Sequence, residues 1–245
     1  MSKNWFQHWF ASEDYLDVYR HRNDEDSERI IGLILSNIKI NSSARILDAA
    51  CGAGRHSINF AEKGYKVHGF DLSETLLQIA RKEAAEKNLE IEFSTADKRF
   101  FKLDEKFDLI VSLFTSFGYF NSDEENFAFP RNAFHMLNEN GYYVLDYLNK
   151  LYTEENLVEF SSKNVRGKEI IERRKITEGR VVKKIEIRKN GEKKEFLESV
   201  KLYSYKEIEE NFRGIGYRVN KVFGNYFGGL FDPLKSERCI IIFTK

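Results

Sequence analysis

The stretch Ile46-Leu47-Asp48-Ala49-Ala50-Cys51-Gly52-Ala53-Gly54-Arg55-His56 limits what this chain can fold into more than any other. Residues 45–50 read as a short buried strand, Cys51 to Gly54 as a sharp turn, and Arg55 as the start of a helix running to about Lys63. Small residues at Ala50, Gly52 and Gly54 let a ligand lie against the backbone, and the helix start behind them offers unpaired N–H donors. Asp71 follows Gly52 by 71 − 52 = 19 residues. It closes the next expected strand, Tyr65 to Phe70, where a carboxylate can accept the two hydroxyls of a ribose. The plainer reading, a tight turn that only packs helix on strand, stays open at this point.

The rest of the chain repeats the alternation. Ile30, Ile31, Ile34, Leu35 and Ile38 mark one face of a helix over about Ser27–Ile40. Ser73 is a natural N-cap for a helix carrying Leu76, Leu77, Ile79 and Ala80. Strands are expected at Glu90–Ser94, Phe107–Phe114 and Tyr142–Leu148, the second nearly continuous in apolar residues, as in a strand buried on both faces of a parallel sheet. A helix is expected over Asp123–Leu137, and Phe129-Pro130-Arg131 interrupts it. After Leu151 the runs become short, charged and partly alternating: Glu169–Thr177, Val181–Lys189 and Lys193–Tyr203, with Glu178-Gly179 and Asn190-Gly191 between them as hairpin turns. A helix, Ser204–Phe212, and two strands, Tyr217–Val222 and Arg238–Thr244, close the chain. The expectation is a doubly wound, mostly parallel, seven-stranded Rossmann-like α/β sheet with a small antiparallel sheet inserted in it. Residues 1–150 and 204–245 would form the main domain and 151–203 the insertion, a lid or a dimerisation sheet. Right-handed crossovers would bring the strand C-termini to one edge.

Two ligand classes suit the glycine turn, a dinucleotide and S-adenosylmethionine. A dinucleotide fingerprint wants G-x-G-x-x-G, but Ser57 stands at the third glycine. Asp48, just before the turn, would face phosphate charge in a pyrophosphate site, whereas it suits a cationic amino group or sulfonium. The competing oxidoreductase reading is further weakened by the antiparallel insertion.

At this point the sequence resembles a family. LDAACGAGRHSINFAEKGYKVHGFDLSETLLQIAR is similar to the first two motifs of class I S-adenosylmethionine-dependent methyltransferases, and residues 94–97, FDLIVSLFTSFGYF and MLNENGYYVLDYLN continue the likeness over about residues 44–149. A subgroup acting on small molecules resembles the whole chain. Its aromatic, Arg-containing N-terminal segment corresponds to residues 1–25, with Tyr15, Tyr19 and Arg22 over the cofactor, and it inserts an antiparallel lid after the fifth strand. The resemblance implies that Asp48, Ala50, Cys51, Gly52 and Gly54 frame the methionine part, with Asp71 on the ribose. Leu72 and Leu76 would lie near the adenine, Asp97 and Lys98 at its edge, and Ser112 and Leu113 under the reacting methyl. Ala50 stands where many members have glycine, a change expected to be harmless because alanine is small.

Methyl transfer from a sulfonium is an in-line displacement that needs alignment and dryness first, and a base only for a protonated acceptor. Tyr119 and Asp146 are the candidate catalytic groups, with Tyr147 and Tyr226 beside them. His56, His68 and His135 read as structural. Aromatics at 114–120 and 223–231 are expected to line the acceptor pocket.

The 39 basic and 39 acidic residues cancel, so no global field favours nucleic acid or a membrane. Residues 163–201 carry 14 basic and 7 acidic residues, a local excess of 14 − 7 = 7 positive charges, but glutamates are interspersed and stacking aromatics sparse. With Pro130 and Pro233 as the only prolines, the proline-containing motifs of amino methylation on DNA are missing. The 14% of aromatic residues suit a Phe-rich core first and a flat-ligand pocket second. Two distant cysteines, Cys51 and Cys239, give neither a disulfide framework nor a metal spacing, and no apolar run approaches a membrane span. The expectation is a cytoplasmic enzyme, monomer or homodimer, using S-adenosylmethionine, releasing S-adenosylhomocysteine, holding no metal, and methylating N or O of a small molecule. An RNA-directed methyltransferase and a non-catalytic binding module are the alternatives.

Overall fold

The computed structural model describes residues 5–19 and 24–245. Five strands run parallel: β1 (Arg45–Ala49), β2 (Lys66–Asp71), β3 (Ile91–Thr95), β4 (Phe107–Ser112) and β5 (Leu137–Leu148). Two more, β10 (Arg218–Phe223) and β11 (Arg238–Thr244), complete a seven-stranded sheet of order β10-β11-β5-β4-β1-β2-β3, with β11 antiparallel to both neighbours. The chain turns outward in both directions from the β1/β4 pair. In such a sheet the crevice beyond the strand C-termini at that reversal is the natural ligand site.

Helices α3 (Asp24–Asn37) and α4 (Arg55–Glu62) cover one face, where Ile30, Ile34 and Phe60 pack on Ile46, Leu109, Val111 and Val144. The other face packs Leu47, Ile110, Tyr143 and Leu145 under α7 (Ala128–Met136) and α9 (Tyr205–Ile215). Residues of β4 enter both cores, which is why its sequence lacks polar alternation. Much of the phenylalanine surplus is here: Phe70 stacks on Phe101 at 3.7 Å and Phe212 on Phe243 at 4.2 Å. Helix α5 (Glu74–Glu86) starts at Ser73, whose hydroxyl accepts from the Leu76 N–H as expected of an N-cap.

The helix expected over Asp123–Leu137 is two, α6 (Asp123–Asn126) and α7, broken at Phe127. Pro130 lies in the first turn of α7, where a missing N–H costs no intrahelical bond. Strand β5 starts earlier than expected. Its pairing with β4 shifts between Leu137 and Tyr142, so the Asn140-Gly141 turn is an outward bulge, with Asn140 at φ 63.

After α8 (Lys150–Glu155) come four antiparallel strands, β6 (Phe160–Val165), β7 (Lys168–Thr177), β8 (Arg180–Lys189) and β9 (Glu192–Lys201), in sequential order. Three were expected. The fourth, β6, enters through Arg166-Gly167, whose φ values of 51 and 74 match those of 51 and 83 at Asn190-Gly191. The arginine in the first position hid a turn of the same geometry.

Helices α1 (Trp5–Phe10) and α2 (Asp14–Val18) lie between the two sheets. Trp5, Phe6, Trp9 and Val18 pack with Ile170, Ile185 and Ile187 of the small sheet, and against Leu72, Tyr119 and Phe120. No helix among the described residues is long and apolar enough to cross a membrane.

Candidate active site

The C-terminal ends of β1, β2 and β4 converge on a cavity of about 370 Å³. Tyr15, Tyr19, Asp48, Ala50, Cys51, Gly52, Asp71, Leu76, Leu113 and Tyr119, all candidate residues of the sequence reading, line it. A narrow apolar slot of about 50 Å³ adjoins it, lined by Leu72, Asp97 and Lys98 together with Phe6, Phe70, Ala96 and Phe120. Arg22 lies outside the described residues.

The turn after β1 has a left-handed backbone at Ala50 (φ 59), Gly52 (φ 57) and Gly54 (φ 80). Ala50 is therefore strained for a reason unrelated to its size, since an L-residue there costs about 1–2 kcal/mol. Gly54 lines neither cavity. A Cβ on it would meet Ala80 Cβ at 2.7 Å and Phe93 at 3.2 Å, so its small size lets α5 and β3 approach the turn.

Asp71 ties the turn to the end of β2. Its Oδ2 accepts the Gly52 N–H at 2.9 Å and its Oδ1 the Ser73 N–H at 2.8 Å, leaving carboxylate lone pairs to face the cavity. Burial raises its pKa, opposed by these backbone N–H groups and by Lys98. Asp48 is 2% exposed. Burial pushes its pKa up to about 6, against the Ser57 hydroxyl that donates to it at 2.6 Å. Ser57 thus holds Asp48, a use for the residue that breaks the dinucleotide fingerprint. Lys98 reaches beneath the loop after β4, where its ammonium donates to Ser112 Oγ at 2.5 Å and Ser116 O at 2.8 Å. Burial pulls its pKa down to about 7, opposed by Asp71 and Asp48. Burial would raise the Asp97 carboxyl, but the Arg99 guanidinium at 2.6 Å holds it below the usual range.

Two expectations are corrected. Ser112 is fully buried and lines neither cavity; it anchors Lys98, and Leu113 reaches the cavity in its place. Asp146 is fully buried too, and its carboxylate is engaged on both oxygens. Oδ2 accepts from the Phe114 N–H at 2.9 Å and the Tyr226 hydroxyl at 3.0 Å; Oδ1 receives Arg238 at 2.7 Å. Neither Asp146 nor Tyr226 lines either of these two cavities, and the Asp146 carboxylate is committed to Phe114, Tyr226 and Arg238. Asp146 instead holds Phe114 and Thr115, consecutive left-handed residues at φ 51 and φ 64. Tyr147 is buried, its hydroxyl donating to Lys201 O.

Tyr119 is part-exposed and borders both cavities and a third of about 320 Å³. The third cavity lies under the small sheet and shares Phe10, Tyr15, Tyr19, Phe114 and Tyr119 with the first. Its far wall is Glu172 and Arg174 of β7, Lys183 of β8 and Glu198 of β9. Lys183 Nζ stands 3.4 Å from Glu172 and 2.7 Å from Glu198. None of residues 223–231 reaches it, contrary to expectation; Phe227 is 77% and Leu230 86% exposed. The loop carrying Tyr119 is pinned by Arg180, whose guanidinium donates to Gly118 O, Tyr119 O and Phe120 O at 3.1–3.2 Å. Sequence reasoning missed Arg180 and the four charged wall residues, because alternating charges on a two-sided sheet do not tell which face meets the main domain. Arg55 and His56 also line the first cavity, with Arg55 4.9 Å over the Phe114 ring.

Residues 46–141 match a family model described as a methyltransferase domain. Over 83 residues the chain is 37% identical to a dTDP-3-amino-3,4,6-trideoxy-alpha-D-glucopyranose N,N-dimethyltransferase of Streptomyces venezuelae, covering 34% of this chain and 33% of that protein. It is 30% identical over 138 residues to a glycine/sarcosine N-methyltransferase of Aphanothece halophytica, covering 56% and 51%. The chain thus spans about a third to a half of these curated relatives. Among solved structures, an S-adenosylmethionine-dependent methyltransferase from Clostridium acetobutylicum superposes with a TM-score of 0.81 at 17% identity, covering 94% of this chain and 95% of that one. The fold, small sheet included, is therefore one that such methyltransferases share.

Proposed function

We infer that this chain, whose residues 46–141 match a methyltransferase-domain model, transfers the methyl group of S-adenosylmethionine to an amine nitrogen of a small polar acceptor. The observation that carries the reading is the pair of cavities meeting at five shared aromatic side chains, one floored by Asp48 and Asp71 and the other walled by Glu172 and Glu198. The residues fit the cofactor. Asp48, a buried carboxylate held partly protonated by burial, gains most from a cationic neighbour, and the cofactor carries an ammonium and a sulfonium. Asp71 would take the ribose hydroxyls, and Phe6, Phe70, Leu72 and Ala96 would enclose the adenine. When bound, the cofactor supplies a methyl carbon already activated by positive sulfur.

The chain's own part is alignment and exclusion of water, an effect on the order of 7–11 kcal/mol when geometry is right. Phe10, Tyr15, Tyr19, Phe114 and Tyr119 would form the dry throat, and their π faces favour a cation by about 0.5–2 kcal/mol each. Glu172, whose Oε1 is 3.4 Å from Lys183, would hold a cationic or hydroxylated acceptor, Glu198 being taken up by Trp9, Tyr19 and Lys183, and Tyr119 would orient the acceptor nitrogen through the phenolic oxygen. Nitrogen is preferred to oxygen because the curated relatives named above are N-methyltransferases. A small molecule is preferred to nucleic acid because the acceptor cavity holds about 320 Å³. A cytoplasmic setting completes the proposal, in keeping with two buried free cysteines.

The test has two stages. Calorimetry with S-adenosylmethionine on the wild type and on Asp71→Ala should show binding that the variant loses; no binding to the wild type overturns the whole reading. A panel of small amines and matched alcohols, followed by mass spectrometry, should then yield methylated amine. Glu172→Gln should raise KM for that amine about tenfold, the weight of one charge-assisted contact of about 1.4 kcal/mol. Methylation confined to the alcohols would defeat the nitrogen assignment.

A further inference from the structure

The opposite end of β2 carries a cluster that the proposed methyl transfer does not use. His68 lies three residues before Asp71, so along a strand it sits about 10 Å from the cofactor edge. It pairs in register with Glu92 on β3, so the two side chains stand next to each other on one face of the sheet. Glu105, in the segment before β4, completes the group. One ligand atom from each residue, the imidazole nitrogen and a carboxylate oxygen of each glutamate, lies within 4.8 Å of the other two.

The imidazole is the telling member. His68 is 9% exposed. Its Nε2 is 2.8 Å from Ser94 Oγ, two residues beyond Glu92 on the same face of β3. In the tautomer that donates Nε2–H to Ser94 Oγ, Nδ1 presents its lone pair to the carboxylates. Nδ1 is buried, and its nearest polar neighbour is Glu92 Oε2 at 3.2 Å. An imidazole nitrogen and two carboxylates that converge in this way need a cation between them, a proton or a metal ion. An outer partner that fixes the ring and leaves the other nitrogen to the metal is the arrangement found at histidine ligands. Glu92 is 70% and Glu105 45% exposed at the side chain, so both can adjust to an ion and water can complete its shell. Arg45 pairs with Glu105 through Oε2, which leaves Oε1 to coordinate.

We propose that His68, Glu92 and Glu105 form a divalent transition-metal site, three protein ligands plus solvent, that staples the segment before β4 to the edge strand β3. One imidazole and two carboxylates favour Zn²⁺, Co²⁺ or Ni²⁺ over Mg²⁺ and Ca²⁺, which prefer all-oxygen shells. The site is structural: it joins β2, β3 and the approach to β4 on the side of the sheet away from the crevice.

The experiment uses the full chain, stripped with EDTA and dialysed, then titrated with ZnCl₂ and separately with MgCl₂. Binding is read by calorimetry, and metal content by elemental analysis after desalting. The variants are E92Q/E105Q, which alters two exposed side chains and should leave the fold intact, and His68→Phe. The expected result is one Zn²⁺ per wild-type chain, no Mg²⁺ under the same conditions, and at least tenfold weaker Zn²⁺ binding in both variants. Wild type and E92Q/E105Q should bind S-adenosylmethionine alike, which separates this proposal from the methyl-transfer reading. Zn²⁺ taken up equally by wild type and E92Q/E105Q would overturn the site, and so would a wild type that binds none.

Discussion

At the scale of single residues, the crevice stores electrostatic cost. Asp48 has its pKa raised from 3.8 to about 6 by burial. The folded protein therefore holds a proton that the unfolded chain has released between those pH values, and stability falls as pH rises through that window. A shift of about 2 units corresponds to about 3 kcal/mol. Asp48→Asn should thus leave stability unchanged near pH 4 and raise it by up to about 3 kcal/mol above pH 7 in the cofactor-free protein, while cofactor binding drops at least tenfold. Chemical denaturation at the two pH values decides the matter; the same pH slope in both proteins would refute the account. By the same logic the wild-type affinity for a cationic ligand should climb as pH rises through about 6, because the carboxylate must be charged to pair with it.

At the scale of elements, the glycine turn is as much a packing device as a ligand cradle. Gly54 combines φ 80 with a 2.7 Å approach to Ala80 on α5. Gly54→Ala adds left-handed strain and overpacking, about 2–4 kcal/mol together. It should lower the denaturation midpoint clearly. A substitution tolerated without loss of stability would show that α5 can move away freely. The loop after β4 follows a different logic. The Asp146 carboxylate of β5 accepts the Phe114 N–H, while the guanidinium groups of Arg238 on β11 and Arg180 on β8 donate to Thr115 Oγ1 and Gly118 O, so the strained Phe114-Thr115 pair is kept in place by three strands distant in sequence.

At the scale of the whole molecule, the N-terminal segment joins the two sheets. Lys168 of β7 binds Asp14 at 2.6 Å and Asp17 at 2.7 Å, and Glu198 of β9 accepts from the Trp9 indole at 2.6 Å. Phe10, Tyr15, Leu16 and Tyr19 of the same segment line the first cavity. Lys168→Ala leaves two buried carboxylates poorly paired, at about 1–3 kcal/mol. Limited proteolysis should then cut faster within residues 5–19, with cofactor affinity several-fold weaker. Unchanged cleavage would mean that aromatic packing alone secures the segment.

The parallel sheet, the glycine turn and the acidic residue at the end of β2 were legible because each is dictated locally. An unbroken apolar run, a left-handed backbone and a ligand hydroxyl all demand a residue type at a fixed spacing. The paired hairpins were legible where asparagine announced the turn, and hidden where Arg166 adopted the same conformation. Sequence spacing also brought Asp146 and Ser112 to the strand ends, but not the way their side chains are used. That depends on Arg238, 92 positions away from Asp146, and on Lys98 beneath Ser112. The charged wall of the third cavity was illegible for a related reason. Glu172, Lys183 and Glu198 look in sequence like any solvated alternation, and become a buried network only where the small sheet folds back over the crevice. What the sequence alone determined is therefore the turn and strand ends that frame the first cavity, which are built from contiguous backbone. The wall of the third cavity and the fixing of the loop between the two were decided by tertiary structure, because buried charges take their meaning from partners that only folding brings within reach.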